Sequence, residues 1–303
     1  MVPPVGRALE IAYGDQRAVV TESGATLRVY EVGDRPVIEA FNGPDTVVVG
    51  CQGEILAPWP NRTQNGVWTW GGTTFQLSIT EPDRGHALHG LVRTLRWETV
   101  DHGPAEVVLE TTLLAHPGWP FPLHLVVRYT LDPAGLTSTI TAANIGEAPC
   151  PYGVATHPYL AVPGGRVDDV ALRIPAATWL ETDERLIPVR RRPTGGTPYD
   201  FDGVASVGDR RVDHAFTDLA RLPDGRVEAS MLAPDGRVTT LWGDSSVRWW
   251  QLFTGDALPE RWRRSTLALE PMTCAPNALN SGEDIVILEP GTSHSMTWGL
   301  QLS

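Results

Sequence analysis

Leu123-His124-Leu125-Val126-Val127-Arg128-Tyr129-Thr130-Leu131 decides the architecture. Leu123, Leu125, Val127, Tyr129 and Leu131 take every second position, and His124, Val126, Arg128 and Thr130 fill the places between. A period of two sends one set to each face of an extended chain, so this is a strand with one buried face. Met296, Trp298, Leu300 and Leu302 repeat the pattern near the C-terminus, as do Val107, Leu109, Thr111 and Leu113. The 30 glycines and 26 prolines are spread evenly and leave few segments able to hold a helix of normal length.

Turn chemistry separates the strands. Pro223-Asp224-Gly225-Arg226-Val227 recurs as Pro234-Asp235-Gly236-Arg237-Val238, and two such turns flanking residues 228–233 read as consecutive hairpins. Short helical turns are expected near residues 256–264. With no linker or low-complexity stretch, the expectation is all-β: a single large antiparallel β-sandwich over residues 1–303 with few short helices.

A formal net charge of −12 argues against a nucleic-acid partner, because phosphate contacts need clustered cations. All 24 basic residues are arginine. Arg190-Arg191-Arg192 precedes Pro193 and Gly195-Gly196 and reads as a solvated loop. Cys51, Cys150 and Cys274 are odd in number and far apart, which suits a reducing compartment. Residues 1–14 lack a basic segment followed by an apolar one, and no apolar stretch approaches the roughly 20 residues of a membrane span. The expectation is a cytoplasmic protein, monomer or homodimer, with no membrane partner.

Four segments break the strand-and-turn pattern: Ala57-Pro58-Trp59-Pro60-Asn61-Arg62, His86-Ala87-Leu88-His89-Gly90, Ala155-Thr156-His157-Pro158-Tyr159 and Leu269-Glu270-Pro271. Each sets a polar or titratable residue among apolar or conformationally restricted neighbours, one way to hold a side chain rigidly. His157 is open to two readings, a hydrogen-bonded core histidine or a catalytic one. Glu270 follows Leu267-Ala268-Leu269 and is either a half-buried functional carboxylate or a strand-end partner of Arg263 or Arg264. Asp213 equally suits a turn, and Arg62 an ion pair. His86 and His89 with Asp83 suggest a metal, but histidines three apart on a strand face opposite ways and no second cluster completes the set, so no metal is expected. The 11 tryptophans suit core packing or stacking on the C–H faces of sugars.

In order along the chain, Pro58-Trp59-Pro60-Asn61-Arg62 with Asn65-Gly66, Leu88-His89-Gly90, Thr156-His157-Pro158-Tyr159, Val212-Asp213-His214, Gln251-Leu252-Phe253-Thr254-Gly255-Asp256 and Leu269-Glu270-Pro271 resemble the aldose 1-epimerase (galactose mutarotase) family. Pro158-Tyr159-Leu160, Glu81-Pro82 and His89-Gly90-Leu91-Val92-Arg93 look closer to a bacterial subgroup that includes a proposed sulfoquinovose mutarotase. The resemblance implies a galactose mutarotase-like supersandwich with a sugar cleft. It also implies a free small-molecule aldose as substrate, no cofactor, His157 as general acid and Glu270 as general base. His89 would sit by the ring oxygen, and Arg62 and Asp213 would bind hydroxyls, with Asn61 and Gln251 as further contacts. Residue type adds Trp59, and Trp249 or Trp250, as stacking platforms, and Arg93 or Arg62 as partners for an anionic C6 substituent. A glycoside hydrolase, a non-catalytic carbohydrate-binding protein and a hexose-6-phosphate 1-epimerase are the rival readings.

Overall fold

A computed structural model describes residues 4–43 and 45–303; Met1, Val2 and Pro3 of the segment read above for a targeting signal lie outside them. The alternating stretch at residues 123–131 lies in strand Leu123–Asp132, third from one edge of a nine-stranded antiparallel sheet. Its neighbours are Glu106–Leu113 and Gly135–Asn144, and Ser293–Leu302 follows beyond the latter. Leu125, Val127 and Tyr129 are fully buried, whereas Arg128 is exposed, as the period of two requires.

The second large sheet has eight strands in the order Pro188–Pro193, Ala176–Thr182, Asp213–Leu219, Trp249–Phe253, Thr266–Met272, Ala155–Thr156 and Ile55–Leu56, with Tyr159–Ala161 also paired to Thr266–Met272. A four-stranded sheet begins with Ala8–Tyr13 and Gln16–Thr21 and is tied to the nine-stranded one where the Tyr129 hydroxyl donates to the Ala25 carbonyl at 2.9 Å. Leu9 and Ile11, Leu125 and Val127, and Phe216, Trp250, Leu252, Leu267 and Leu269 share one apolar core, so this β-sandwich buries one face of each sheet. Among the described residues helix is confined to short turns, including Glu260–Trp262 and Ala278–Ser281. No helix among the described residues is long and apolar enough to cross a membrane.

One turn departs from the sequence reading. The second Asp-Gly turn closes a hairpin between Val227–Leu232 and Val238–Gly243, with Gly236 at φ +87°. The first has the same local chemistry, with Asp224 accepting from the Arg226 amide at 3.0 Å, but it supports only a bridge between Arg221 and Val227. The strand before it, Asp213–Leu219, belongs to the eight-stranded sheet, so this turn lies on the connection between sheets and is not a hairpin.

The site depends on which face each residue of the eight-stranded sheet takes. In Trp249–Phe253, Trp250 and Leu252 enter the main core, which leaves Trp249, Gln251 and Phe253 on the other face. In Thr266–Met272, Leu267 and Leu269 enter it, leaving Ala268, Glu270 and Met272 opposite. Register pairs Gln251 with Glu270 and Asp213 with Phe253, so the polar residues of three strands converge on the face turned away from the core.

Candidate active site

A cavity of about 190 Å³ opens over that convergence, walled by Asn61, Arg62, Glu81, Arg84, Leu88, His89, His157, Tyr159, Asp213, Gln251, Phe253, Leu258 and Glu270, with Gly50, Cys51 and Ala257 completing the wall. His157 lies between the short strands Ala155–Thr156 and Tyr159–Ala161. Its amide donates to the Glu54 carbonyl at 3.1 Å, and its carbonyl accepts from the Gly53 amide at 2.8 Å. Gly53 has φ +69°, and a Cβ there would stand 1.8 Å from the Leu27 carbonyl oxygen, so only glycine fits this support. Tyr159 stacks on the imidazole at 4.9 Å and 21°, and its hydroxyl donates to the Gly50 carbonyl at 2.9 Å.

His157 Nε2 stands 3.3 Å from Glu270 Oε1, and both side chains are buried. Burial pulls the imidazole down to about 3. Burial, and then the Asp213 carboxylate, push Glu270 well above the usual carboxylate range, offset in part by Arg62. The pair therefore favours one shared proton: adding a second or losing the first leaves net charge in a desolvated place. His157 Nδ1, Glu270 Oε2 and Gln251 Oε1 are buried without a hydrogen-bond partner among the described residues.

His89 has φ +62° and is pinned to Asn61 by both backbone and ring. Its amide donates to the Asn61 carbonyl at 2.9 Å, and its Nδ1 accepts from the Asn61 amide at 3.2 Å. That bond leaves Nε2 to carry the proton. Burial, followed by His157, holds the His89 imidazole well below its usual value, which keeps it neutral. Its ring meets His157 edge-on at 5.4 Å. Asn61 spends Oδ1 on the Arg62 amide at 2.9 Å. Gln251 Nε2 donates to Asp213 Oδ1 at 2.7 Å, which fixes both on the cavity wall. Arg62 makes a two-pronged pair with Glu81 at 2.8 and 2.9 Å.

The tryptophan assignments need correction. Trp59 is 2% exposed and packs on Trp119 at 5.6 Å, in the core rather than on the cavity. Trp249 and Trp250 are likewise buried, and Trp249 Nε1 donates to Asp284 at 2.8 Å. Among the described residues no tryptophan lines the cavity; its apolar wall is Leu88, Tyr159, Phe253 and Leu258. Arg93 pairs with Glu54 at 3.3 Å and is not part of the wall. Arg264 pairs with Asp168 and Asp256, which removes it as a partner for Glu270. His86 accepts from the Asn65 amide at 3.1 Å, and no group of three His, Cys, Asp or Glu among the described residues could hold a metal ion.

Glu81, Arg84 and Tyr159 are wall residues that sequence reading did not single out for a role. Glu81 carried one available signal, a carboxylate beside proline within 20 residues of Arg62.

A sequence model of the aldose 1-epimerase family matches residues 7–301. The Escherichia coli (strain K12) protein YihR, described as uncharacterized, is 30% identical over 297 residues, covering 97% of this chain and 93% of its own. The crystal structure of a C. elegans GalM/aldose epimerase homologue superposes with a TM-score of 0.86 at 19% identity, covering 98% of each chain. That of galactose 1-epimerase from Lactobacillus acidophilus NCFM superposes with a TM-score of 0.81 at 18% identity, covering 96% of this chain and 92% of its own. With a family match running nearly end to end and the same fold in these structures, this chain belongs to the aldose 1-epimerase family.

Proposed function

We propose that the protein interconverts the α and β anomers of a free aldose, with Glu270 as base and His157 as acid. The observation that carries this reading is the buried imidazole–carboxylate pair at 3.3 Å, set in a cavity whose other polar groups can grip hydroxyls. Glu270 takes the proton of the O1 hydroxyl as the C1–O5 bond breaks, and His157 gives its proton to O5. The open aldehyde turns about C1–C2. On closure His157 takes the O5 proton back as O5 attacks C1, and Glu270 returns its proton to O1. Protons and electrons balance within the cycle, which is why the reaction needs no redox cofactor. These roles need the shared proton to rest on His157 as the sugar reacts, leaving Glu270 ionised to act as base.

Neutral His89, with its proton on Nε2, suits a donor to the ring oxygen. Asp213, Gln251, Asn61 and Arg62 suit the remote hydroxyls. The cavity lies below the roughly 300 Å³ at which pockets for drug-sized ligands begin, which fits one sugar ring rather than a chain. With Arg62 held by Glu81, recognition of an anionic C6 substituent falls to Arg84, which commits only Nη1 to Glu81. The test is NMR or polarimetry of freshly dissolved anomers of glucose, galactose, sulfoquinovose and glucose 6-phosphate. Acceleration for at least one is expected, and none for any aldose would sink the proposal. Steady release of aglycone from a chromogenic glycoside would favour the hydrolase instead.

A further inference from the structure

Residues 81–86 bring Glu81 and Arg84 to the rim of the cavity, and something outside them holds this loop in place. Inside the loop, the Arg84 and His86 amides donate to the Glu81 carbonyl at 3.3 and 3.2 Å, and the Gly85 amide does so at 2.8 Å. The outside contact comes from another part of the chain, the tip of the hairpin joining Ala176–Thr182 to Pro188–Pro193. There Asp183 Oδ1 accepts from the Arg185 and Ile187 amides, both at 2.9 Å, and shapes the tip so that Arg185 points at the loop.

Arg185 directs two of its three guanidinium nitrogens, Nε and Nη2, at this contact. Nε and Nη2 donate to the Arg84 carbonyl at 2.8 and 2.6 Å, and Nη2 also reaches Asn65 Oδ1 at 2.7 Å. The Arg185 carbonyl accepts a hydrogen bond from His86 Nε2 at 3.1 Å, while His86 Nδ1 accepts from the Asn65 amide. Gly85, at φ +68°, leaves the room this needs: a Cβ there would come within 3.1 Å of Arg185 Nη2.

We infer that Arg185 is a positioning residue that latches the 81–86 loop and, through the Glu81 carboxylate, sets the direction of Arg62 in the substrate cavity. The chain of contacts is continuous. Arg185 fixes the Arg84 carbonyl, the loop's own hydrogen bonds fix Glu81, and Glu81 fixes both donors of Arg62 that face it. The inference rests on the reading of the cavity as a sugar site. Arg185 touches neither His157 nor Glu270, so it acts on binding and not on proton transfer.

The test is Arg185→Ala, with Arg185→Lys beside it, in steady-state mutarotation and in hydrogen exchange of the amides at residues 80–88. In Arg185→Ala, KM rises about five-fold, the equivalent of ~1 kcal/mol, with kcat within two-fold of the parent. Lysine, with one compact ammonium in place of a fork, recovers part of the loss. The loop amides exchange about five-fold faster in Arg185→Ala, and amides of the Leu123–Asp132 strand do not change. An unchanged KM, or a fall in kcat with KM constant, overturns the latch. If the parent accelerates no aldose, the functional proposal fails by itself. Hydrogen exchange then decides the latch alone, and unchanged loop exchange overturns it.

Discussion

If His157 and Glu270 share one proton, removing both residues costs no more than removing the worse one. His157→Asn and Glu270→Gln delete the two groups while keeping the side chains polar and similar in size. General acid–base help is worth about 10²–10⁴-fold, or about 3–5 kcal/mol at 1.36 kcal/mol per decade. Were the contributions independent, the double variant would lose about 10⁴–10⁸-fold. The 3.3 Å separation argues otherwise, because the proton one residue accepts must be balanced by the proton the other gives. A base left without its acid, or an acid without its base, strands a charge on the opening sugar. We expect the double variant to lie within about tenfold of the slower single variant, a coupling of about 1–5 kcal/mol. Two-dimensional exchange NMR on an equilibrated anomer mixture reads these rates against spontaneous mutarotation, and a melting curve for each variant checks folding. Losses that multiply would refute the shared proton. Near-parental rates in either single variant would refute the assignment of that residue.

Trp59→Phe should leave KM unchanged and cost about 1–3 kcal/mol of stability, because the indole fills core against Trp119; a raised KM with unchanged melting would return it to the site. In Gly90→Ala the new Cβ would stand 2.0 Å from the Ala57 carbonyl at a φ of +68°, so we expect loss of at least ~2 kcal/mol and, because His89 is the preceding residue, a fall in kcat. Burial works against ionisation of Glu81, but Arg62 and Arg84 outweigh it and hold its carboxyl below 4.5. Its stabilising effect is therefore complete above pH 4.5 and lost as pH falls through the folded value, and Glu81→Gln should flatten the acid limb of Tm against pH. Glu270 has the opposite sign. Its raised folded pKa gives stability that is complete below pH 4.5 and lost as pH rises, so Glu270→Gln should raise Tm at pH 8 while abolishing activity.

How far the sequence could be read followed the range of the interactions. Strand Leu123–Asp132 announces itself because alternation is local and its buried face is continuous. The two Pro-Asp-Gly-Arg turns are indistinguishable as turns, and only the sheet membership of the flanking strands, a tertiary matter, separates hairpin from crossover. Motif order pointed to His157, Glu270, His89, Arg62, Asp213 and Gln251, all of which line one cavity. Trp59 misled because indole chemistry suits a core and a sugar platform alike, and its position in the fold decides between them. The pairing of Arg62 with Glu81, and the hold of Arg185 on the loop, join residues 19 and 101 positions apart, where no local pattern carries the information.

The pairing of Gln251 with Glu270, and of Asp213 with Phe253, has a consequence for how this gene can change. Side chains on a strand obey parity, so losing one codon inside Trp249–Phe253 would send the residues beyond the break to the opposite face of the sheet, exchanging cavity for core. Insertion of two codons by itself would keep parity but displace them by roughly 6.6 Å along the strand. Substitutions can therefore accumulate in the wall of the cavity, and specificity can drift with them, while the codon count of these three strands stays fixed. Length variation among related genes should fall in the connecting loops.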